Sequence, residues 1–116
     1  KWRQAEEFFR KASLVSPDFV MARSSHALSF YQIGEMEQAE SELRKLIGRY
    51  PMFADARAAL CALLSRNGSF GEAESNWVAV VGLDARYKEK DWLHDSRRWP
   101  PEPINDLMAF LALESP

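Results

Sequence analysis

Any chemistry this chain performs would have to come from a handful of side chains: His26, His94, Cys61 and the carboxylates near them. A histidine oriented by a carboxylate could act as a general base, and an activated cysteine as a nucleophile. Paired histidines with acids could hold a metal. The spacing favours none of these. His94 and Asp95 are sequence neighbours, and adjacent residues on a helix point apart, so no direct orienting pair is expected. His26 falls on the inward face of its helical pattern, a structural position. Cys61 stands where a small packing residue belongs, with no cation or exposed helix end in its sequence context to stabilise a thiolate. As the single cysteine it excludes an internal disulfide and a cysteine-built zinc site. Gly68-Ser69-Phe70-Gly71 lacks the lysine and glycine pattern of a phosphate loop. Asn67-Gly68-Ser69, formally a glycosylation acceptor, reads as a helix-ending turn. The expectation is therefore a chain that is not an enzyme, with no catalytic residues, no metal and no cofactor.

Charge and length narrow the alternatives further. The chain has 116 residues, enough for one domain or a short repeat array. Fifteen Lys and Arg against seventeen Asp and Glu leave a net charge of −2, which argues against a general nucleic-acid binder. No apolar run reaches the roughly 18 residues a membrane helix requires, so no span is expected in this segment. The short basic clusters Arg10-Lys11, Arg44-Lys45 and Arg97-Arg98 are interrupted by acids and read as solvated faces. Arg97 and Arg98 beside Trp99 form a cationic-aromatic group suited to an acidic peptide.

What positions these residues is a repeat. Pro17 and Pro51 lie 34 residues apart, and the same step relates Ala5, Ala39 and Ala73, then Phe9, Leu43 and Trp77, then Ala12, Leu46 and Val80. Gly34 and Gly68 share the register, as do Trp2, Met36 and Phe70. Within each unit the spacing is helical: Ala39, Leu43 and Leu46 share one face, as do Ala73, Trp77 and Val80. The glycines suit tight turns between paired helices. Ser69 with Glu72 forms a capping-box pattern. Helices are predicted at about 1–14, 18–33, 36–48, 52–67, 70–83, 86–98 and 103–113. Pro100-Pro101 stops the sixth. Ile104, Leu107, Met108 and Leu111 give the seventh an apolar stripe, that of a helix capping the last exposed face.

The Gly-x4-Ala-x3-large-apolar arrangement, with proline twelve residues after the alanine, resembles the tetratricopeptide repeat. It runs through Gly34, Ala39, Leu43 and Pro51, then Gly68, Ala73 and Trp77, with Ala5, Phe9 and Pro17 ending an earlier unit. The first helices depart from the family pattern, with Arg23 and Arg57 where the family has tryptophan. From Tyr87 onward the unit is degenerate, with Asp91, His94 and Asp95 at positions that should be apolar or small. The resemblance implies an all-α fold, a right-handed α-solenoid of antiparallel helix pairs with about seven helices and a C-terminal cap. It divides the chain into a truncated second helix at 1–16, repeat units at 17–50 and 51–84, and a degenerate repeat with capping helix at 85–116. Residues 1–14 would then lack their pairing helix, so the chain reads as a piece of a longer array that self-associates through that N-terminal face. The Arg98-Trp99-Pro100-Pro101 segment is similar to tails of repeat proteins of chloroplasts and cyanobacteria. That points to a chloroplast setting, with a cytoplasmic one as the alternative.

In such arrays the first helices of each pair line a concave groove that binds a partner protein or peptide. Carried over position by position, the groove would present Met21, Ser24, Leu28, Tyr31 and Gln32, then Asp55, Ala58, Ala62, Ser65 and Arg66, then Glu89, Trp92 and Ser96. The small alanines flanked by Tyr31 and Trp92 suggest an apolar channel for a helix or extended peptide. The competing reading is that the same alanines are small merely to let helices touch. Ser24, Leu28, Ala58 and Ala62 stand where the chaperone-binding branch of the family has basic residues and an asparagine, so that partner class is not expected. The resemblance implies a protein–protein interaction scaffold or assembly factor, in photosynthetic complex biogenesis if the tail is followed. The alternative is a non-catalytic appendage of a larger enzyme or regulator that recognises its partner elsewhere.

Overall fold

The computed structural model describes residues 17–114; the helix expected over 1–14 lies outside them. The described residues form helices with no strand among them. In chain order these are α1 (Pro17–Gln32), α2 (Met36–Arg49), α3 (Ala54–Arg66), α4 (Phe70–Leu83), a 3₁₀ turn (Ala85–Lys88), α5 (Lys90–Asp95) and α6 (Pro101–Glu114).

The 34-residue period reappears as duplicated backbone geometry. α1 ends with Gly34 at φ +88°, its N–H donating to Tyr31 O at 3.1 Å while Glu35 N–H donates to Phe30 O at 2.9 Å. α3 ends in the same way, with Gly68 at φ +85°, Gly68 N–H on Ser65 O at 3.0 Å and Ser69 N–H on Leu64 O at 2.8 Å. These paired bonds satisfy the last helical carbonyls, and the left-handed residue between them reverses the chain. The second helices also end alike: Tyr50 N–H donates to Leu46 O and Asp84 N–H to Val80 O, both at 2.7 Å. Two helical hairpins, α1–α2 and α3–α4, result. Ser69 stands at the N-cap of α4, yet its hydroxyl makes no capping bond. The expected capping box fails because the Glu72 carboxylate is drawn to Arg44 of α2, at 2.7 Å.

α3 is the central helix, packed against α1, α2, α4 and α6. A helix with four neighbours has no solvent face, and its sequence is small enough to permit that: Ala56, Ala58, Ala59, Cys61 and Ala62 have no exposed surface. Leu43 and Leu46 of α2 and Val80 of α4 complete the core, while Trp77 is half-buried with its ring edge-on to Phe110 of α6, 6.4 Å between centroids. The two arginines that replace the family's tryptophans hold neighbouring elements. Arg23 pairs with Glu42 at 3.1 Å, and Arg57 donates to Pro51 O at 2.5 Å and to Asn76 Oδ1 at 3.0 Å.

After α4 the structure departs from the predicted helix over 86–98. The Asp84 carboxylate accepts the Arg86 N–H at 3.0 Å and tightens the chain into the 3₁₀ turn, Glu89 is extended, and α5 ends at Asp95. Residues 96–100 are not helical; Arg98 sits at φ +56°, a left-handed conformation that costs a non-glycine residue roughly 1 kcal/mol. The last helix starts at Pro101 rather than near 103, because proline's fixed φ and missing N–H suit a first helical turn.

Glycine substitutions separate turn from helix. Gly34→Ala and Gly68→Ala place a side chain at positive φ and should each cost about 1 kcal/mol. Gly48 and Gly82, also 34 residues apart, lie inside α2 and α4 with open space where a Cβ would go. Gly48→Ala and Gly82→Ala should instead stabilise by about 0.5 kcal/mol. Urea midpoints of the four variants check the opposite signs.

Candidate functional site

The predicted groove residues of α1 and α3 do share one face, but that face is covered. Ser24, Leu28, Tyr31, Asp55, Ala58, Ala62 and Ser65 are buried, Met21 and Gln32 half-buried, and Arg66 exposed. Their cover is the chain's own C-terminal segment. Asp55 and Arg66 mark the two ends of the α3 face. Trp99 and Arg97 contact the first, Glu102 and Asp106 the second. Ala58 and Ala62 lie between them with no accessible surface, which corrects the expectation of an open channel at these positions. Glu89 and Ser96 are exposed and Trp92 half-buried beyond this face, on the 3₁₀–α5 segment. Trp92 packs edge-on to Tyr87 at 4.8 Å, with the Arg86 guanidinium 4.7 Å from its ring.

Asp55 is the centre of this arrangement. Its carboxylate is wholly buried, and Oδ1 accepts from Tyr87 OH at 2.9 Å, Arg97 Nε at 2.9 Å and Trp99 Nε1 at 3.1 Å. Oδ2 accepts from Ser24 Oγ at 2.5 Å. The Arg97 guanidinium also touches the Met21 thioether. Burial opposes the charge on Arg97, but the carboxylate beside it outweighs that and raises its pKa. For Tyr87, burial and the Asp55 charge both push the phenol well above its usual value. A second cluster seats α6. Tyr31 OH donates to Asp106 Oδ2 at 2.5 Å, Arg66 Nη1 bridges Glu102 and Asp106, and the Gln32 side-chain oxygen accepts the Glu102 N–H at 2.8 Å. Gln32 thereby satisfies one of the free donors at the helix start.

Sequence reasoning named Asp55, Tyr31, Gln32 and Arg66 as partner contacts. It missed that Tyr87, Arg97, Trp99, Glu102 and Asp106 are what they contact. The one available signal was Asp55 itself, an acid in an alanine- and leucine-rich helix; its neighbour Arg57 turns away to Pro51 and Asn76.

The chemistry of this site is holding rather than reacting. Asp55 is wholly buried and its carboxylate accepts four hydrogen bonds from groups of its own chain, the arrangement of a structural acid. Cys61 is buried, and loss of hydration with the nearby Glu114 charge pushes its thiol up to about 12, the range of an unreactive cysteine. His94 and Asp95, expected to point apart, are in fact paired, Nδ1 to Oδ1 at 2.7 Å, because α5 ends at Asp95 and both side chains are free to swing. They are 75% and 72% exposed, a solvent-screened pair. Among the described residues no group of His, Cys, Asp and Glu is placed to hold a metal ion, and no helix is long and apolar enough to cross a membrane. One part of the predicted face stays open: a depression of about 390 Å³ between the α1–α2 turn and the start of α6, lined by Tyr31, Gln32, Ile33, Met36, Arg66 and Glu102.

Removing the hub should release the C-terminal segment. Asp55→Ala leaves a buried guanidinium and three neutral donors without their acceptor and should cost about 3–5 kcal/mol. Asp55→Asn keeps the shape and should cost less; thermal unfolding followed by circular dichroism ranks the two.

Stability should also fall in alkali. The raised pKa values of Cys61, Tyr87 and Tyr31 mean the unfolded chain loses these protons first. Their contribution is therefore complete below the unfolded pKa values and declines as pH rises past about 9, by about 1.4 kcal/mol per pH unit for each group titrating. Denaturant titrations between pH 7 and 11 check the slope, and Cys61→Ala should delay its onset.

No protein-family model, no curated protein and no solved structure matches the chain.

Proposed function

We propose that the chain is a protein–protein interaction module of tetratricopeptide type, part of a right-handed stack of helix pairs, that binds a segment of a partner protein. The observation carrying this reading is the duplicated hairpin, with Gly34 and Gly68 ending α1 and α3 through the same pair of backbone bonds one repeat apart. The face shared by α1 and α3 already accommodates a helix, α6, which supports helix-in-groove recognition as what this scaffold is suited to. Because α6 occupies the middle of that face, the partner meets the part left open. There Ile33 offers an apolar contact, and Gln32 and Arg66 polar ones. Arg97 and Trp99 have a structural reason in Asp55, so a role in assembling photosynthetic complexes rests on the tail resemblance alone.

Affinity purification of the full-length protein followed by mass spectrometry identifies the partner, and two surface variants then place it. Ile33 is 64% exposed, so Ile33→Asp should change stability by less than about 0.5 kcal/mol. It should nevertheless weaken capture of the identified partner at least tenfold, as should Ile33→Lys. Capture at full strength by both variants would remove the open depression as the binding site.

A further inference from the structure

The turn between α3 and α4 sets an asparagine before a glycine, and the fold requires only the glycine. Gly68 sits at φ +85°, where a side chain is strained. Position 67 carries no such demand, since its equivalent one repeat earlier is Ile33. The other two asparagines of the chain lie inside helices, Asn76 before Trp77 in α4 and Asn105 before Asp106 in α6. Asn67 is exposed, and its carboxamide has no hydrogen-bond partner among the described residues. Open space surrounds Gly68 where a Cβ would stand.

This juxtaposition has a chemistry of its own. Once a base removes the Gly68 amide proton, the nitrogen can attack the side-chain carbonyl carbon of Asn67. A Cγ–N bond forms, the Cγ–Nδ2 bond breaks, ammonia leaves with a proton from solvent, and a five-membered succinimide remains. Water then opens the ring at either carbonyl, giving aspartate or isoaspartate. Water and hydroxide are the only reagents. A bulky residue after the asparagine hinders the attack, whereas glycine leaves its nitrogen accessible.

The folded turn holds this reaction back. The ψ of −2° at Asn67 turns the Gly68 nitrogen away from the side chain, and its N–H is bonded to Ser65 O at 3.0 Å. That restraint is shallow. Residues 66–72 are all exposed, and the second bond across the turn, Ser69 N–H on Leu64 O at 2.8 Å, lies at the same helix end. Opening it uncovers no core, so it requires only local unfolding. Closing it again after reaction is another matter. An isoaspartate runs the main chain through its side-chain carbons, which adds a methylene ahead of Gly68 and displaces both donors from the helical carbonyls they satisfy.

We propose that Asn67 is a site of spontaneous deamidation in the native chain, gated by opening of the α3–α4 turn, and that its isoaspartyl product cannot re-form that turn. The proposal is independent of what the depression beside Ile33 binds.

The test keeps the whole chain in mildly alkaline buffer for days. After digestion, the Asn67 peptide is followed by mass spectrometry, and isoaspartate is counted by enzymatic methylation of its free α-carboxyl group. Asn67 should convert, with isoaspartate the major product, while Asn76 and Asn105 stay intact and Asn67→Gln gains no acid. The rate should be roughly tenfold below that of a synthetic peptide of residues 63–71, and constant within about twofold at urea concentrations short of global unfolding. In the isoaspartyl chain, separated by ion exchange, the Gly68 and Ser69 amides should exchange with deuterium roughly tenfold faster than in the parent. An Asn67 still intact after roughly a hundred peptide half-lives would overturn the proposal. So would a rate equal to that of the peptide, a rate that rises in step with global unfolding, or unchanged exchange at Gly68 and Ser69.

Discussion

The carboxylate of Asp55 is the interaction on which the remaining structure depends. Burying one carboxylate costs several kcal/mol unless its oxygens are fully engaged. Here the donors come from α1, the 3₁₀ turn and the link between α5 and α6, up to 44 residues away in sequence. None of those segments has to be near α3 for local reasons. The unpaired charge is what makes any arrangement without them unfavourable, so the single acid converts a pair of hairpins with a tail into one cooperative unit. The left-handed backbone at Arg98 fits this account. It is the bend that carries the chain from Arg97 to Trp99 while both reach the same oxygen, and its cost is offset by two bonds to a charged acceptor.

The second constraint is size. α3 touches four helices, and only alanine, cysteine and serine at the closest approaches allow that. Leucine at 58 or 62 would hold α6 away from α3, and with it the seats that Tyr31 and Arg66 provide for Asp106. Small residues at these positions and a charge at 55 are therefore parts of one device. The alanines let the C-terminal segment approach, and the carboxylate fixes where it stops.

The hairpins were legible in the sequence because their determinants are local and repeated. Glycine at the helix end, alanine and leucine on one helical face, and proline after the second helix act over a few residues. The occupied groove was not legible. Ala58 and Ala62 have the same pattern whether they floor an open channel or carry another helix, since both uses require a small side chain facing a neighbour. Deciding between them needs the partner of Asp55, and Arg97 and Trp99 are too distant for periodicity to connect them with it. The split of 86–98 into a 3₁₀ turn and a short helix was hidden for a related reason. Helical spacing there is acceptable, but Asp84 bonds its own chain two residues on and Tyr87 is held by Asp55.

The same register logic explains why the two hairpins part company on their outer surfaces. Position for position, α2 and α4 turn the same column inward, Ala39, Leu43 and Leu46 against Ala73, Trp77 and Val80, with Trp77 half-buried. Folding therefore constrains both helices equally on the inside and neither on the outside. On α2 the unconstrained positions hold glutamate, arginine and lysine, which favour helix and stay hydrated. On α4 they hold valine twice, which lowers helix propensity and exposes apolar area. Val78 is two-thirds exposed, so the exchange adds little to the packing of the described residues.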